Sequence, residues 1–124
     1  MTTREIPRDQ WREQLDSFSR QHEGWIVRVE ITDADGQRRT EARDLPLQGV
    51  SADSPRSDAV AITVGQSPDD HVTHEVSQPV GIAIEQTDSG AERGLRIRAR
   101  DGSTTTVEFR SPMKAEDVDG VSFR

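Results

Sequence analysis

Hydrophobic positions near the start of the chain recur at the period of an α-helix. One face of that helix would carry Trp11, Leu15, Phe18 and His22. Pro7 suits a first helical turn, a contact between Ile6 and Trp11 has the spacing of a hydrophobic staple, and Gly24 suits a left-handed stop. The pattern therefore predicts one amphipathic helix over Ile6 to Gly24. His22, at its end, is interpreted as a partly buried packing residue with no evident catalytic partner.

After Gly24 the apolar positions alternate with polar ones, which is typical of half-buried β-strands. Predicted strands cover residues 25–31, 38–43, 59–64, 71–76, 80–86, 95–99 and 105–109, with an irregular strand or corner at 45–50. Val80, Ile82 and Ile84 are expected on one face of their strand. Residues 87–94 are predicted to form a loop.

Two hairpins follow from the loops between these strands. A four-residue loop, Asp33 to Gly36, is predicted before the strand Arg38 to Arg43, which is polar on both faces as expected of a sheet edge. In the last hairpin, Leu95 faces Val107 only if the loop has three residues, 100–102, with Gly102 left-handed. We predict that loop and that register.

Together these elements predict an α+β fold, in which one N-terminal helix packs on a strongly bent antiparallel sheet or small β-barrel of seven to eight short strands. Residues 1–112 are expected to form a single domain. Residues 113–124 are acidic and weakly patterned, so they are predicted to be a tail that is frayed or docked through Phe123.

The amino-acid composition makes several classes of function less favourable. Only 31% of residues are hydrophobic, and the formal net charge of −7 opposes binding to nucleic acid or anionic membranes. Lys114 is the only lysine, a bias that fits either a GC-rich genome or a salt-adapted host. There is no cysteine, no apolar run of membrane-spanning length and no secretory signal, so we expect a cytoplasmic protein.

No motif for catalysis or for a cofactor is present. Asp33 to Gly36 lacks the ligand spacing of a calcium loop, and no serine elbow or phosphate-binding glycine pattern occurs. His71 and His74 are weak candidates for metal ligands, because a spacing of three residues sends them to opposite faces of a strand. The sequence therefore predicts no cofactor and favours a role that is not enzymatic.

Arginines form the most unusual surface feature. Arg96, Arg98 and Arg100 alternate along one predicted strand, and Arg110 lies on its partner. Such a row fits an acidic partner or phosphates, and it equally fits a solvated face of cross-strand ion pairs with Glu108 and neighbouring acids. Arg96, Arg98 and Arg110 are the candidate interaction residues.

The N-terminal third resembles a known family. The resemblance is strongest over residues 4–27 and rests on the runs Arg4-Glu5-Ile6-Pro7-Arg8-Asp9-Gln10-Trp11, Leu15-Asp16-Ser17-Phe18-Ser19-Arg20 and Gly24-Trp25-Ile26-Val27. These are similar to the start of a family of short prokaryotic proteins classed as a domain of unknown function. The resemblance extends to about Phe109. It implies a common small fold and brings no activity, cofactor or site residue with it.

The leading hypothesis is a small non-catalytic binding or protein-interaction module. Its partner would be another protein, held by the arginine row or a sheet edge, or a second copy paired through a sheet edge. One alternative is a small-ligand carrier or weak enzyme that uses a barrel mouth lined by Trp25, His71 or His74. A third hypothesis, less favoured by the charge, is nucleic-acid binding through the arginine strand.

Overall fold

The computed structural model describes residues 2–52, 59–67, 70–88 and 90–113, and these form one helix and eight strands. The strands are β1 (Thr2–Glu5), β2 (Ile26–Thr32), β3 (Arg38–Ala52), β4 (Ala59–Ser67), β5 (Asp70–Ser77), β6 (Pro79–Gln86), β7 (Glu92–Ala99) and β8 (Thr104–Met113). A single 3-10 turn, Arg8–Gln10, leads into the helix α1 (Trp11–His22). The α+β class is confirmed.

All eight strands pair antiparallel in the order β1-β6-β7-β8-β2-β3-β4-β5. The described strands form an open sheet and do not close into a barrel, so the barrel alternative is not confirmed. Strand β3 pairs with β2 over its first part and with β4 from Leu47 onward. The predicted edge strand Arg38 to Arg43 is thus the first part of a longer strand, and among the described residues it pairs with β2 alone.

The helix packs its predicted face on the sheet. Trp11, Leu15, Phe18 and His22 are all buried, and Ser19 joins the helix to β3 because its Oγ accepts the Val50 N–H at 2.8 Å. Trp11 Nε1 donates to the Ile6 carbonyl at 2.9 Å. The helix is shorter than predicted, since it begins at Trp11, after the 3-10 turn, and ends at His22. Gly24 has the expected left-handed backbone, with φ +87°.

One of the two hairpins differs from its prediction. The β7–β8 hairpin pairs Leu95 with Val107, and Gly102 has φ +93°, which confirms the three-residue loop. In the β2–β3 hairpin, Asp33 N–H donates to the Gln37 carbonyl, so the loop has three residues instead of four. The Asp33 carboxylate explains the shorter turn, because it accepts the N–H groups of Asp35 and Gln37 at 3.0 Å.

Several predictions concern residues that the structure does not describe. They are the predictions for the C-terminal tail, frayed or docked through Phe123, because residues 114–124 lie outside the described ranges. Strand β8 reaches Met113. No helix among the described residues is long and apolar enough to span a membrane.

Candidate site at the bulge of β7

A buried histidine and a buried glutamate meet where α1 ends and β7 begins. His22 is 1% exposed and Glu92 is 8% exposed. His22 Nδ1 lies 2.8 Å from the Phe18 carbonyl oxygen, and His22 Nε2 lies 2.9 Å from Glu92 Oε1. The second contact is short enough for an ion pair. However, Oε1 does not lie along the ring N–H direction, and it makes no well-aligned hydrogen bond among the described residues.

The Phe18 carbonyl fixes one proton of the His22 ring. A carbonyl oxygen only accepts, so Nδ1 holds a proton and donates it. Nε2 then lies beside the Glu92 carboxyl group, which places an acidic side chain against the buried ring.

Aromatic rings enclose the imidazole. The ring centroids of Phe18, Trp25 and Phe109 lie 4.5, 4.5 and 4.6 Å from that of His22. Phe109 and Trp25 also contact each other edge to face, at 4.8 Å. The rings limit access of water to the imidazole, whereas Glu92 also lines a small surface groove with Arg4, Gln14, Ser17 and Gln21.

A bulge in β7 explains why Glu92 points inward. Leu95, Ile97 and Ala99 face the core, so strict alternation would put Arg93 inside and Glu92 outside. The register between β6 and β7 shifts at this point, because Glu85 pairs with Gly94 and Gln86 pairs with Glu92. Strand β7 therefore contains one extra residue, Arg93. From Arg93 back toward the start of the strand, each side chain lies on the face opposite to the one that strict alternation predicts.

Gly94 permits this bulge. A Cβ atom at Gly94 would lie 2.1 Å from the backbone oxygen of Val107. Because β7 and β8 approach so closely, only glycine fits. The sequence pattern predicts a loop here, over residues 87–94, and indicates no partner for His22. The available signal was an isolated glycine beside a strand pattern, which often marks a bulge.

On the opposite face of the sheet the same bulge directs Arg93 into a shallow groove of about 290 Å³. We call this the arginine groove; its lining residues are Arg28, Asp44, Arg93, Glu108, Phe109 and Arg110. The three arginines come from β2, β7 and β8. Phe109 belongs to both places, because its ring also stacks on His22 inside the protein.

Ion pairs hold Arg28 in the groove. Its Nη2 lies 2.8 Å from Glu108 Oε1, and its Nε lies 3.5 Å from Glu30 Oε2. The hydrogen bond to Glu108, followed by the charge of Glu30, raises the pKa of Arg28 above its already high usual value. The guanidinium is permanently charged and has a defined orientation.

A second distortion of the sheet meets the groove at Asp44. Val27 pairs with Leu45 while Val29 pairs with Ala42, so two residues of β3, Arg43 and Asp44, oppose the single Arg28. Asp44 adopts φ +55°, in the left-handed region that non-glycine residues seldom occupy. Such backbone strain is concentrated at functional sites.

The predicted arginine row is present, but Arg110 lies apart from Arg96 and Arg98. Arg96 and Arg98 point outward as predicted, and both have acidic neighbours: Arg96 Nη1 lies 3.6 Å from Glu85, and Arg98 Nη2 lies 3.0 Å from Glu5. The pairing predicted with Glu108 is not made, since Glu108 contacts Arg28. Arg110 is exposed and lines the arginine groove, apart from the other two.

The two candidate metal ligands are on β5. His74 lies opposite the buried Ile62 and is partly buried, whereas His71 is exposed. The odd spacing along the strand separates them onto opposite faces. Among the described residues, no group of three or more His, Asp or Glu side chains is arranged to hold a metal ion.

His74 makes stability depend on pH. Burial is the main cause that lowers the pKa of His74, and Arg39 acts in the same direction against an opposing effect of Glu41. The unfolded chain then binds the proton more strongly, so stability is full above about pH 6.5 and falls as the pH drops through that value. We expect His74→Gln to lose less thermal stability than the wild type between pH 7.5 and 5.5, measured by circular dichroism. A loss for His74→Gln equal to that of the wild type would contradict the assignment.

The comparisons with known proteins concern the family alone. Residues 2–118 match the model of a family of unknown function (DUF5335), so the chain belongs to that family. The match confirms the resemblance seen at residues 4–27 and extends it over nearly the whole chain. No curated protein and no solved structure matches the chain significantly.

Proposed function

We propose that this protein is a non-catalytic binding module whose ligand presents an oxyanion, a carboxylate or a phosphate, to the arginine groove. A planar guanidinium donates two parallel hydrogen bonds to such a group, which suits arginine better than lysine for this task. The groove offers Arg28, Arg93 and Arg110 on a chain whose overall charge is −7.

The observation that carries the proposal is the convergence of two sheet distortions on one groove. The bulge of β7 brings Arg93 to the outer face, and the strained Asp44 stands opposite Arg28. Bulges in native sheets commonly redirect a side chain beside a functional site. Because two independent distortions meet at one place, natural selection explains the groove better than a chance placement of arginines does.

No comparable observation supports the alternative of a small ligand bound inside a barrel. Aliphatic side chains fill the core of the described part of the chain, with Leu15, Leu47, Ile62, Ile82, Leu95 and Ile97 essentially inaccessible. Protein association through a sheet edge stays a prediction. Strand β5 lies at one end of the described sheet and spans eight residues, which is long for an edge strand.

The proposal predicts binding of simple oxyanions. In a titration of ¹⁵N-labelled protein at low salt, citrate and inorganic phosphate should shift the amide signals of Arg28, Arg93 and Arg110 in a saturable way. Arg93→Gln and Arg110→Gln should each weaken binding about tenfold, because each removes charge-assisted hydrogen bonds. Higher ionic strength should weaken it further.

A matched control separates this effect from a general change of charge. Arg38→Gln makes the same substitution at an exposed residue of the β2–β3 hairpin and should leave the affinity unchanged. Equal losses in all three variants would indicate nonspecific attraction. Absence of saturable shifts for both anions would refute the proposed function.

A further inference from the structure

A small groove of about 160 Å³ lies where α1 meets β1, β6 and β7. We call it the helix groove, because most of its lining residues belong to α1. Phe18 and Ile84, both buried, form the apolar part of its lining. Its polar lining residues are Arg4, Gln14, Ser17, Gln21 and Glu92. The helix groove shares no lining residue with the arginine groove.

The sequence of α1 makes one wall of the helix groove polar. Gln14, Ser17 and Gln21 recur at spacings of three and four residues, so they form one stripe along the helix. Side-chain amides and hydroxyl groups both donate and accept hydrogen bonds. This wall therefore suits either kind of polar group on a ligand.

Strand pairing places Arg4 on the same side of the sheet as the helix. Arg4 lies opposite the buried Ile84, and residues directly opposite each other in an antiparallel pair point to the same face. Glu5, the next residue, points to the outer face and contacts Arg98 there. Arg4 is exposed, so it brings a guanidinium group to the mouth of the helix groove.

Glu92 brings a carboxyl group to the inner part of the helix groove. The bulge of β7 turns its side chain inward, and 10% of that side chain stays exposed. Its Oε1 lies beside His22 without a well-aligned hydrogen bond among the described residues. A carboxylate has about four acceptor positions on its two oxygens, so the contact with His22 leaves Glu92 able to accept a donor from the groove. None of the ion pairs within the described ranges joins Arg4 to Glu92.

We infer that the helix groove binds a small α-amino acid, whose ammonium group contacts Glu92 and whose carboxylate contacts Arg4. A ligand with only a positive charge would meet the like charge of Arg4, and one with only a negative charge would meet that of Glu92. A zwitterion has an opposite charge for each. The groove has roughly the volume of five water molecules, which suits an amino acid as small as serine. The inference assigns a second site and does not depend on the proposed function.

Two fragments of L-serine test the need for both charges. Ethanolamine lacks the carboxylate, and 3-hydroxypropanoate lacks the ammonium group. In titrations of ¹⁵N-labelled protein at neutral pH and low salt, L-serine should shift the amide signals of Gln14, Ser17 and Gln21 in a saturable way. Its Kd should be at least about tenfold lower than that of either fragment, because each fragment loses one charge-assisted contact.

Two variants should show crossed effects. Arg4→Gln should raise the Kd of L-serine about tenfold and should not weaken binding of ethanolamine, which has no carboxylate. Glu92→Gln should raise the Kd of L-serine by a similar factor and should not weaken binding of 3-hydroxypropanoate, which has no ammonium group. A loss of structure would weaken all three ligands together, so the crossed pattern is specific to direct contacts. Arg12→Gln, the same substitution as Arg4→Gln at an exposed residue of α1 outside the groove, should leave all three Kd values unchanged.

Three outcomes would overturn the inference. The first is the absence of saturable shifts with L-serine, and the second is a Kd for either fragment equal to that of L-serine. The third is a loss from Arg12→Gln as large as that from Arg4→Gln, which would indicate a general effect of charge. Citrate binding to the arginine groove tests the proposed function separately, because the two grooves have no lining residue in common.

Discussion

Glu92→Ala is expected to lower the free energy of unfolding by about 3 kcal/mol, because removal of one member of a buried ion pair leaves the other without a partner. His22 would keep its contact with the Phe18 carbonyl, while Nε2 would lose the Glu92 carboxyl group that lies 2.9 Å from it. In a chain of 124 residues this loss corresponds to a fall in Tm of roughly 10 °C. Thermal and urea unfolding followed by circular dichroism measure both quantities.

Glu92→Gln separates the role of the charge from that of the hydrogen-bonding group. The amide of glutamine can donate to the unprotonated Nε2 of a neutral His22, so both groups are satisfied without a buried charge. We expect a loss of about 1 kcal/mol or less. Glu75→Ala, the same truncation as Glu92→Ala on the exposed face of β5, should stay within about 0.5 kcal/mol of the wild type. If alanine and glutamine at position 92 are equally harmful, the polar contact of the Glu92 side chain with His22 is not what stabilises the protein.

The helix and the last hairpin were predictable because each has a regular period. Leu15 and Phe18 occupy the buried face that a spacing of 3.6 residues requires. The register of Leu95 opposite Val107 follows from the rule that side chains alternate across a strand. Where the local pattern and the final packing agree, the sequence alone is sufficient to predict the element.

The candidate site depends on the places where that alternation fails. Alternation assigns Val80 to the core and Arg93 to the inside, but two separate register shifts reverse these placements. One, between Pro79 and Gly81, leaves Val80 52% exposed, and the other, between Glu85 and Gln86, turns Arg93 outward. A bulge depends on how three neighbouring strands pack together. The sequence of one strand therefore gives little sign of it apart from a nearby glycine. Strand β1, four polar residues without alternation, was missed because only its pairing with β6 makes it a strand. The contact of His22 with Glu92 joins residues seventy positions apart, which no local spacing indicates.

The arginine row shows how a correct placement still leaves function open. Arg96 and Arg98 lie on the predicted face, but the acidic side chains that meet them come from β6 and β1. Sequence spacing gives the direction of a side chain on a strand and does not give the neighbours two strands away. The other two arginines of the arginine groove, Arg28 and Arg93, therefore emerged only from the sheet topology.

Gly94→Ala is expected to be as destabilising as Glu92→Ala, by about 3 kcal/mol, for a reason of space alone. The new Cβ would lie 2.1 Å from the Val107 oxygen and 3.1 Å from the Glu108 Cα. Both are backbone atoms, so no change of rotamer relieves the overlap, and β7 must move away from β8. That movement would displace Arg93 from the arginine groove and Glu92 from His22, so oxyanion binding should be lost together with stability.

Gly49→Ala is the matched control, because the nearest atom to its Cβ would be Ser19 Oγ at 3.7 Å, an ordinary contact. That substitution should change stability by less than about 1 kcal/mol and should leave the groove intact. Urea unfolding gives the comparison, and the citrate titration reports on the groove in the folded fraction. If Gly94→Ala proved as stable as Gly49→Ala and still bound citrate, close approach of β7 and β8 would not be what holds the bulge, and the link between Gly94 and the arginine groove would be wrong.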